Sequence, residues 1–328
     1  MTTSLVNVSD SGNYSIAGTP LACVLQNEKM ITFVYYVIAC TIALLGNLAF
    51  LVVVIKVKSM RTMPNFFFIN LSMADVLFMA YHLMFLIADN FGTLAALKTF
   101  HIKGGHSITD VSFCVSMLTV ALISLNRYIA ICHPFRAETM RLQSPSRIAV
   151  SIAFCWFIGI CIAAFDIFIS SSLKQQAKLL VVLLVLLSLF IVASFSVVMV
   201  SYVLIAKRMF STKRSNYTPA GYIAPSCISE ESQVLLLSVA ITAVFFLSCS
   251  PMATVYIVVT FNQLLGQVII AQDKLNCLTF IAKMTISLHF TLNPILYNIG
   301  SRNHRTAFCE VWKIGVNRQE ENSQQEYV

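Results

Sequence analysis

Seven long apolar blocks constrain the fold of this chain more than any other feature of its sequence. About 20 apolar residues in one α-helix cross a bilayer, and the helix satisfies its own backbone hydrogen bonds where no water is present. The blocks span residues 30–55, 65–88, 107–126, 148–173, 179–206, 234–261 and 275–299. They predict an all-α membrane protein whose transmembrane domain, residues 30–299, is a bundle of seven helices.

Charged side chains are too scarce for a soluble domain. Only 11% of the residues are charged and 58% are hydrophobic, whereas soluble domains have about 25% charged residues. Four of the blocks contain one charged residue each: Asp75, Asp110, Asp166 and Lys283. A charge at the centre of a membrane helix costs about 2.5–3.5 kcal/mol, so these residues are candidates for function. No nucleophile–base pair, phosphate-binding loop or zinc-like cysteine spacing occurs, so catalysis is not expected.

The basic residues indicate how the helices are oriented. All ten arginines and five lysines lie on one side of the predicted membrane, against seven lysines elsewhere. The positive-inside rule makes that side cytoplasmic, so we expect a plasma-membrane protein with its N-terminus outside and its C-terminus inside. The net charge of +8 is then placed to meet anionic lipid of the inner leaflet and requires no nucleic-acid partner.

The first 29 residues are predicted to form an extracellular tail. They contain glycosylation sequons at Asn7 and Asn13. They lack the basic and apolar regions of a cleaved signal peptide. Cys23 in this tail and Cys277 near the start of the last block both fall on the oxidising side, so they are candidates for one disulfide.

The segment after the last block has the pattern of a short amphipathic helix. Residues 300–315 place Phe308 and Trp312 at helical spacing, with basic residues on other faces. This pattern predicts a helix on the inner leaflet. Cys309 is a candidate palmitoylation site, and a free thiol is the alternative. The polar residues 316–328 predict a disordered cytoplasmic tail.

Short motifs lie in or beside six of the blocks, in a fixed order. They are Gly46-Asn47, Leu71–Asp75, Asn126-Arg127-Tyr128, Trp156, Pro251 and Asn293-Pro294-Ile295-Leu296-Tyr297. Together, over residues 30–311, they resemble the class A (rhodopsin-like) G-protein-coupled receptors. The resemblance implies that an extracellular ligand, a small molecule or a peptide, activates a heterotrimeric G protein. Arrestin is a candidate further partner.

The resemblance assigns a switching role to Arg127 at the cytoplasmic end of the third helix. It implies that Glu231, at the foot of the sixth helix, holds Arg127 in the resting state. It also implies that Tyr202 and Tyr297 receive the arginine in the active state. Asn126 replaces the acidic residue that the family has beside this arginine, so we predict a loosened resting state in which Glu231 carries more of the restraint.

Two prolines and a group of core residues are implied to move during activation. Pro251 and Pro294 each remove a backbone hydrogen bond inside a helix, which permits a hinge. By resemblance, Met117 and Phe245 pack together as a core switch. Cys249 occupies the position of the family's usual aromatic residue before the proline, so the ligand trigger is expected to differ.

Asp75 lies in the second block, where a carboxyl group requires a polar partner, water or a cation. The resemblance implies three polar side chains near it, those of Asn47, Ser116 and Asn293. The resemblance implies a pocket for a sodium ion and water, and a hard cation prefers such oxygen ligands. The alternative is a protonated Asp75 in a structural hydrogen-bond network, because His289 and Phe290 replace the family's small polar residues.

Five polar residues are candidate ligand-binding groups: His82, Asp110, Asp166, Tyr256 and Lys283. Asp110 could meet a cationic group, although amine receptors carry their aspartate one position earlier, where Thr109 stands. An internal pair of Lys283 with Asp110 or Asp89 is the alternative. Retinal is not expected, because Ser287 occupies the position of the Schiff-base lysine.

Three absences resemble the melanocortin receptors and their relatives. The second extracellular loop is short and has no cysteine, Ile102 replaces the cysteine at the start of the third helix, and Ser194 replaces the proline of the fifth helix. The usual loop disulfide therefore cannot form.

Two other functions remain open at this point. A receptor-like protein could signal without a ligand, constitutively or as a dimer partner, and the altered residues Asn126 and Cys249 favour that alternative. A transporter or channel is the other class that uses a bundle of this kind.

Overall fold

The computed structural model describes residues 28–91, 107–133, 144–171, 176–215 and 230–312, which form eight α-helices and no β-strand. In chain order the helices are α1 (Glu28–Lys56), α2 (Met63–Phe91), α3 (Ser107–Cys132), α4 (Pro145–Ser171), α5 (Gln176–Ser215), α6 (Glu230–Leu265), α7 (Gln272–Gly300) and α8 (Arg302–Trp312). A 3-10 turn, Lys58–Met60, lies between α1 and α2. The predicted all-α architecture is confirmed.

Helices α1 to α7 are long and apolar enough to cross a membrane, with spans of 24 to 33 residues. Each of the seven predicted blocks is therefore confirmed as a helix. Large apolar side chains on the outer surface, such as Val150, Leu247 and Ile299, are more than two-thirds exposed. A surface of this kind is unfavourable in water and suits hydrocarbon. The chain is a multi-pass membrane protein.

Helix α3 lies at the centre of the bundle and packs against α2, α4, α5 and α6. A hydrogen-bond relay ties it to two of these helices. The indole Nε1 of Trp156 donates to Oδ1 of Asn70 at 2.8 Å, and Nδ2 of Asn70 donates to Oγ1 of Thr119 at 2.7 Å. Both Asn70 and Thr119 are buried. Because little water competes there, the relay holds α2, α3 and α4 in register.

Side chains replace the backbone hydrogen bonds that two prolines remove from α6 and α7. Pro294 leaves the carbonyl of Phe290 without its intrahelical donor, and Nδ2 of Asn47 in α1 donates to that oxygen at 3.1 Å. Pro251 likewise leaves the carbonyl of Leu247, which accepts at 3.3 Å from the hydroxyl of the serine just before the proline. Both helices therefore continue through their prolines with these carbonyls satisfied, as a membrane requires.

The absence of a side chain at Gly46 allows α1 to approach α7 closely. A Cβ atom at this position would lie 2.6 Å from Cγ of Pro294, well inside van der Waals contact. The close approach brings the next residue, Asn47, within hydrogen-bond distance of α7. Gly46 therefore supplies the space and Asn47 supplies the donor that the proline lacks.

Helix α8 follows α7 after one extended residue, Ser301, and packs against α1, α7 and the 3-10 turn. His304 and Ala307 are buried on its inner face, whereas the side chain of Trp312 is 48% exposed. The amphipathic helix predicted for residues 300–315 is thus present over Arg302–Trp312.

The imidazole of His304 anchors α8 to the bundle. Its Nδ1 lies 3.1 Å from the carbonyl oxygen of Tyr297, and its Nε2 lies 3.2 Å from Oδ1 of Asn65 in α2. The rings of Phe50 and Phe68 meet it edge-on. Burial lowers the pKa of His304, and the hydrogen bond to the Tyr297 carbonyl opposes this effect only in part. His304 is therefore neutral in the folded protein near pH 7.

Acidification should destabilise the protein through His304. In the unfolded chain a histidine titrates near its usual pKa of about 6.5, whereas in the folded protein the pKa of His304 is lower. As the pH falls through about 6.5, the unfolded state binds a proton that the folded state does not, so the free energy of unfolding decreases. We expect the melting temperature to fall more from about pH 7.5 to about pH 5.5 in the wild-type protein than in His304→Phe.

The measurement is thermal unfolding of the purified protein in detergent across this pH range. His133→Phe is the matched control, because His133 is exposed and its substitution should keep the wild-type pH dependence. Parallel pH curves for wild type and His304→Phe would contradict the assignment.

Candidate functional site

Asp75 is completely buried and contacts polar side chains from two other helices. Nδ2 of Asn293 in α7 donates to its Oδ2 at 2.7 Å, and the hydroxyl of Ser116 in α3 lies 3.5 Å from its Oδ1. Nδ2 of Asn47 donates instead to two backbone carbonyls, one in α1 and one in α7. Two of the three expected side chains, Asn293 and Ser116, therefore lie against Asp75. The third, Asn47, bridges α1 and α7 instead.

Four buried side-chain oxygen atoms of α1, α2 and α7 have no hydrogen-bond partner among the described residues. They belong to Asn47, Ser72, Asn293 and Tyr297. Ser72 lies one helical turn from Asp75, and Tyr297 lies one turn from Asn293, so these atoms share the faces that carry the Asp75 contact. The hydroxyls of Ser72 and Tyr297 lie near each other without forming a well-aligned hydrogen bond. This donor set fits water molecules or a hard cation.

His289 connects the polar groups around Asp75 with the aromatic core. Its Nε2 lies 3.3 Å from Nδ2 of Asn293, and that amide has two hydrogens, one for Asp75 and one for the imidazole. The same imidazole meets the ring of Phe245 edge-on, with the ring centroids 4.7 Å apart. A neutral His289 that accepts at Nε2 satisfies this geometry. It thereby links α7 directly to α6, and it reaches Asp75 of α2 through the amide of Asn293.

A cavity of about 250 Å³ lies among α3, α4, α5, α6 and α7, at the end of the bundle opposite α8. It is lined by four of the five candidate ligand-binding residues, Asp110, Asp166, Tyr256 and Lys283. Most of its other lining side chains are apolar. His82 is not among the lining residues, and its ring stacks on those of Phe78 and Tyr36 at centroid distances of 4.3 and 5.7 Å.

Cys249 borders a small void between this cavity and the aromatic core. The void measures about 10 Å³, close to the smallest volume that holds one water molecule. Phe113 and Met117 line both the void and the cavity, and the ring of Phe113 is parallel to that of Phe245 at 6.2 Å. Met117, Phe245 and Cys249 thus lie in one buried cluster directly beneath the cavity.

Arg127 is buried near the α8 end of α3, where three helices meet. Tyr202 of α5 interacts electrostatically with Arg127, and its hydroxyl lies 3.2 Å from Oγ1 of Thr242 in α6. Thr242 donates in turn to the carbonyl of Ser238 at 2.8 Å, so Tyr202 is the donor to Thr242. Tyr297 packs against aromatic rings of α1 and α2. The two tyrosines therefore occupy different places around this end of the bundle.

The residues on either side of Arg127 are both half-buried. The hydroxyl of Tyr128 lies 3.0 Å from Nε2 of His133. Asn126 is uncharged, so the described part of α3 offers Arg127 no adjacent carboxylate.

Several predicted features lie outside the described part of the chain. Helix α6 includes Glu231, but its side chain is not described, so its contact with Arg127 stays a prediction. The other features outside are Asn7, Asn13, Cys23, Ile102, the second loop at 172–175 and the tail beyond 312. Cys277 near the start of α7 and Cys309 on α8 are both half-buried, and their disulfide and palmitoylation remain predictions.

No role is predicted from the sequence for Asn65, Thr242 or His304, although each joins two helices. Their inward positions could have been predicted only from their helical spacing relative to a residue whose place in the bundle was already expected. Thr242 lies three residues before Phe245 and therefore shares its inward face. His304 and Asn65 carry a weaker signal, because each stands at the end of a helix, where polar residues are common.

The sequence matches the family described as 7 transmembrane receptor (rhodopsin family) over residues 46–297. It is 25% identical over 311 residues to the QRFP-like peptide receptor of Branchiostoma floridae, which covers 88% of this chain and 79% of that protein. It is 23% identical over 328 residues to the thyrotropin-releasing hormone receptor of Mus musculus, covering 88% and 80%. To the somatostatin receptor type 5 of Rattus norvegicus it is 29% identical over 150 residues, covering 44% and 39%.

These comparisons give no support to the melanocortin-like resemblance, since the relatives are named for other ligands. The family match runs from Gly46 to Tyr297 and so includes every motif that carried the broader resemblance. It extends over more than half of the chain, and the family is one of receptors and not of enzymes. The chain belongs to the rhodopsin family of seven-transmembrane receptors.

Proposed function

We propose that this protein is a plasma-membrane receptor that binds an extracellular peptide and activates a heterotrimeric G protein. The observation that carries the proposal is the pairing of a cavity at one end of the bundle with a buried arginine at the other. Peptide is preferred to small molecule because two relatives are named as receptors of peptides. The α8 end is the surface we assign to the G protein and to arrestin.

The orientation of the receptor in this proposal follows from its basic residues. Within the described residues the arginines lie toward the end of the bundle that includes α8, among them Arg61, Arg302 and Arg305. The positive-inside rule supports a cytoplasmic α8 and an extracellular cavity. The ligand then enters from outside and the G protein binds from inside.

A continuous series of contacts supports transmission from the cavity to the polar groups around Asp75. Phe113 lines the cavity and lies parallel to Phe245, which meets His289 edge-on. His289 contacts the amide of Asn293, which donates to Asp75. A ligand that favours one arrangement of this series shifts the receptor between two states, by a factor of ten for each 1.4 kcal/mol or so of differential affinity.

The proposed function can be tested in cells that express the full chain with reporters for several G-protein families. A library of peptides would be applied to the wild-type receptor and to Arg127→Ala at matched surface expression. We expect one or more peptides to raise the wild-type signal and Arg127→Ala to lower that response by about tenfold or more, because the arginine forms part of the G-protein surface. Solute flux after reconstitution, with no effect of Arg127→Ala on any signal, would indicate a transporter instead.

The resting restraint on Arg127 is assigned to Glu231. Removal of a partly exposed ion pair changes an equilibrium by about 0.5–1 kcal/mol, which corresponds to about a two- to fivefold rise in the active population. We therefore expect Glu231→Ala to raise basal signalling by about two- to fivefold in the same reporter cells. Glu230→Ala, at the neighbouring position, is the matched control, and an equal effect of the two substitutions would remove Glu231 from this role.

The polar groups around Asp75 are proposed to hold a sodium ion with water, as the unpaired oxygen atoms of Asn47, Ser72, Asn293 and Tyr297 support. Oxygen ligands suit such a hard cation. A cation bound to the folded state raises its stability, so replacing sodium by N-methylglucamine should lower the melting temperature by about 3 °C. Asp75→Asn should abolish this dependence and the exposed Asp273→Asn should keep it. A wild-type melting temperature independent of sodium would favour the protonated Asp75 network.

A second candidate function is constitutive signalling without a ligand. Two observations favour it: Arg127 has an asparagine in place of an acidic neighbour, and Cys249 borders a void at the position of an aromatic switch residue. In the reporter experiment this alternative requires a basal signal that Arg127→Ala removes and that no peptide changes.

A further inference from the structure

We propose that the cavity recognises an organic cation of the ligand, such as a guanidinium or ammonium group, between Asp110 of α3 and Asp166 of α4. The inference rests on the proposed receptor function and specifies which chemistry the extracellular ligand brings. For a peptide, the cation is a basic side chain or a free amino terminus at the end that enters the bundle.

The packing of α3 against α4 places the two carboxyl groups in one cavity. Gly159 of α4 faces Val111 of α3 so closely that a Cβ atom there would lie 3.2 Å from the Val111 carbonyl oxygen. Two turns further along α4 lies Asp166, and one turn back along the antiparallel α3 lies Ser107. Their side chains meet, with Oγ of Ser107 donating to Oδ2 of Asp166 at 3.5 Å. The side chains of Asp166 and Asp110 therefore line the cavity at a similar depth along the bundle.

Both carboxyl groups act on the same aromatic side chain. Tyr256 of α6 lines the cavity and interacts electrostatically with Asp110 and with Asp166. The two aspartates, in different helices and 56 positions apart in sequence, are thus directed toward one place. Two carboxylates held close together in a membrane bundle repel each other, and a cation between them removes that repulsion.

The remaining walls of the cavity are suited to the rest of such a ligand. Leu183, Leu187 and Val259 present apolar surface, while Phe113 and Tyr256 contribute aromatic rings, whose faces attract cations. The volume of about 250 Å³ is below the roughly 300–1,000 Å³ of cavities that enclose drug-sized ligands. A cation with one apolar or aromatic attachment fits that space, so only the end of a peptide is expected to enter.

Lys283 of α7 contributes a positively charged side chain to the same cavity. With two carboxyl groups and one ammonium group, the cavity carries an excess of negative charge. A ligand recognised through its own carboxylate would bind at Lys283 and is the alternative that the experiment must separate.

The test uses the purified full chain in detergent and three probes of similar shape and different charge. They are 2-phenylethylguanidinium, the neutral 2-phenylethylurea and the anionic 3-phenylpropanoate. The melting temperature is measured against probe concentration, because binding stabilises the folded state in proportion to the logarithm of one plus the ratio of probe concentration to the dissociation constant. We expect the guanidinium probe to raise the melting temperature of the wild-type protein and the urea probe to leave it unchanged.

Asp110→Asn and Asp166→Asn should each weaken the apparent affinity for the guanidinium probe by roughly 30-fold or more, the usual effect of removing one member of a buried charge pair. Asp166→Glu keeps the charge and should retain binding. Asp273→Asn, at an exposed position of α7 outside the cavity, is the matched control and should bind as the wild type does. The melting temperature without probe reports whether each variant folds.

Two results would overturn the inference. One is equal stabilisation by the guanidinium and urea probes, a comparison that needs only the wild-type protein. The other is stabilisation by 3-phenylpropanoate that Lys283→Gln abolishes, which would assign the cavity to an anion. Cation binding with no coupling to any G protein would instead contradict the proposed receptor function, so failures of the two proposals are distinguishable.

Discussion

The hydrogen bond from Asn293 to Asp75 is the interaction on which the rest of the bundle depends. Both side chains are completely buried, and an unpartnered carboxyl group at this depth would cost several kcal/mol. The bond joins α7 to α2, and Ser116 adds a contact from α3. Three helices are therefore held at one depth by polar groups, in a solvent where the hydrophobic effect does not drive helices together.

The prolines and the glycine of the inner helices serve this same arrangement. Pro294 follows Asn293 directly, and its missing N–H exposes a carbonyl that accepts from a donor of α1. Gly46 lets α1 come close enough for Asn47 to donate to that carbonyl. Gly46, Asn47 and Pro294 thus form one structural unit. The proline leaves a carbonyl without its donor, the glycine lets α1 approach α7, and the asparagine supplies the donor.

The sequence was sufficient to predict the seven spans, because apolar length is a strong physical signal. The proximity of Asp75 to Ser116 and Asn293 was predicted from the resemblance of the sequence to the receptor family. The sequence was not sufficient to predict where Asn47 donates, since that depends on how far α1 tilts toward α7. It also assigned His82 to the ligand cavity, whereas His82 stacks on Phe78 and Tyr36. Helical phase places a residue on a face, but it does not say which neighbouring helix covers that face.

The same limit explains why Asp110 and Asp166 are seen together only in three dimensions. Each was a candidate ligand-binding residue on its own. For Asp110 the alternative expected from the sequence was an ion pair with Lys283, because opposite charges in a membrane bundle usually pair. Their convergence depends on the close approach at Gly159 and on the antiparallel direction of α4 relative to α3. Neither is visible from the spacing of charged residues along the chain.

In the proposed receptor, the departures from the family pattern loosen the resting state, while other contacts at the α8 end restrain it. Asn126 removes a charge beside Arg127, and Cys249 leaves a void where a large ring would restrain α6. The hydrogen bond of Tyr202 to Thr242 and the anchor formed by His304 add restraints at the α8 end. A net hydrogen bond contributes about 0.5–1.5 kcal/mol, which changes a two-state population by about two- to twelvefold. Under the proposed function, the balance of these few local contacts sets how much of the receptor is active before any ligand binds.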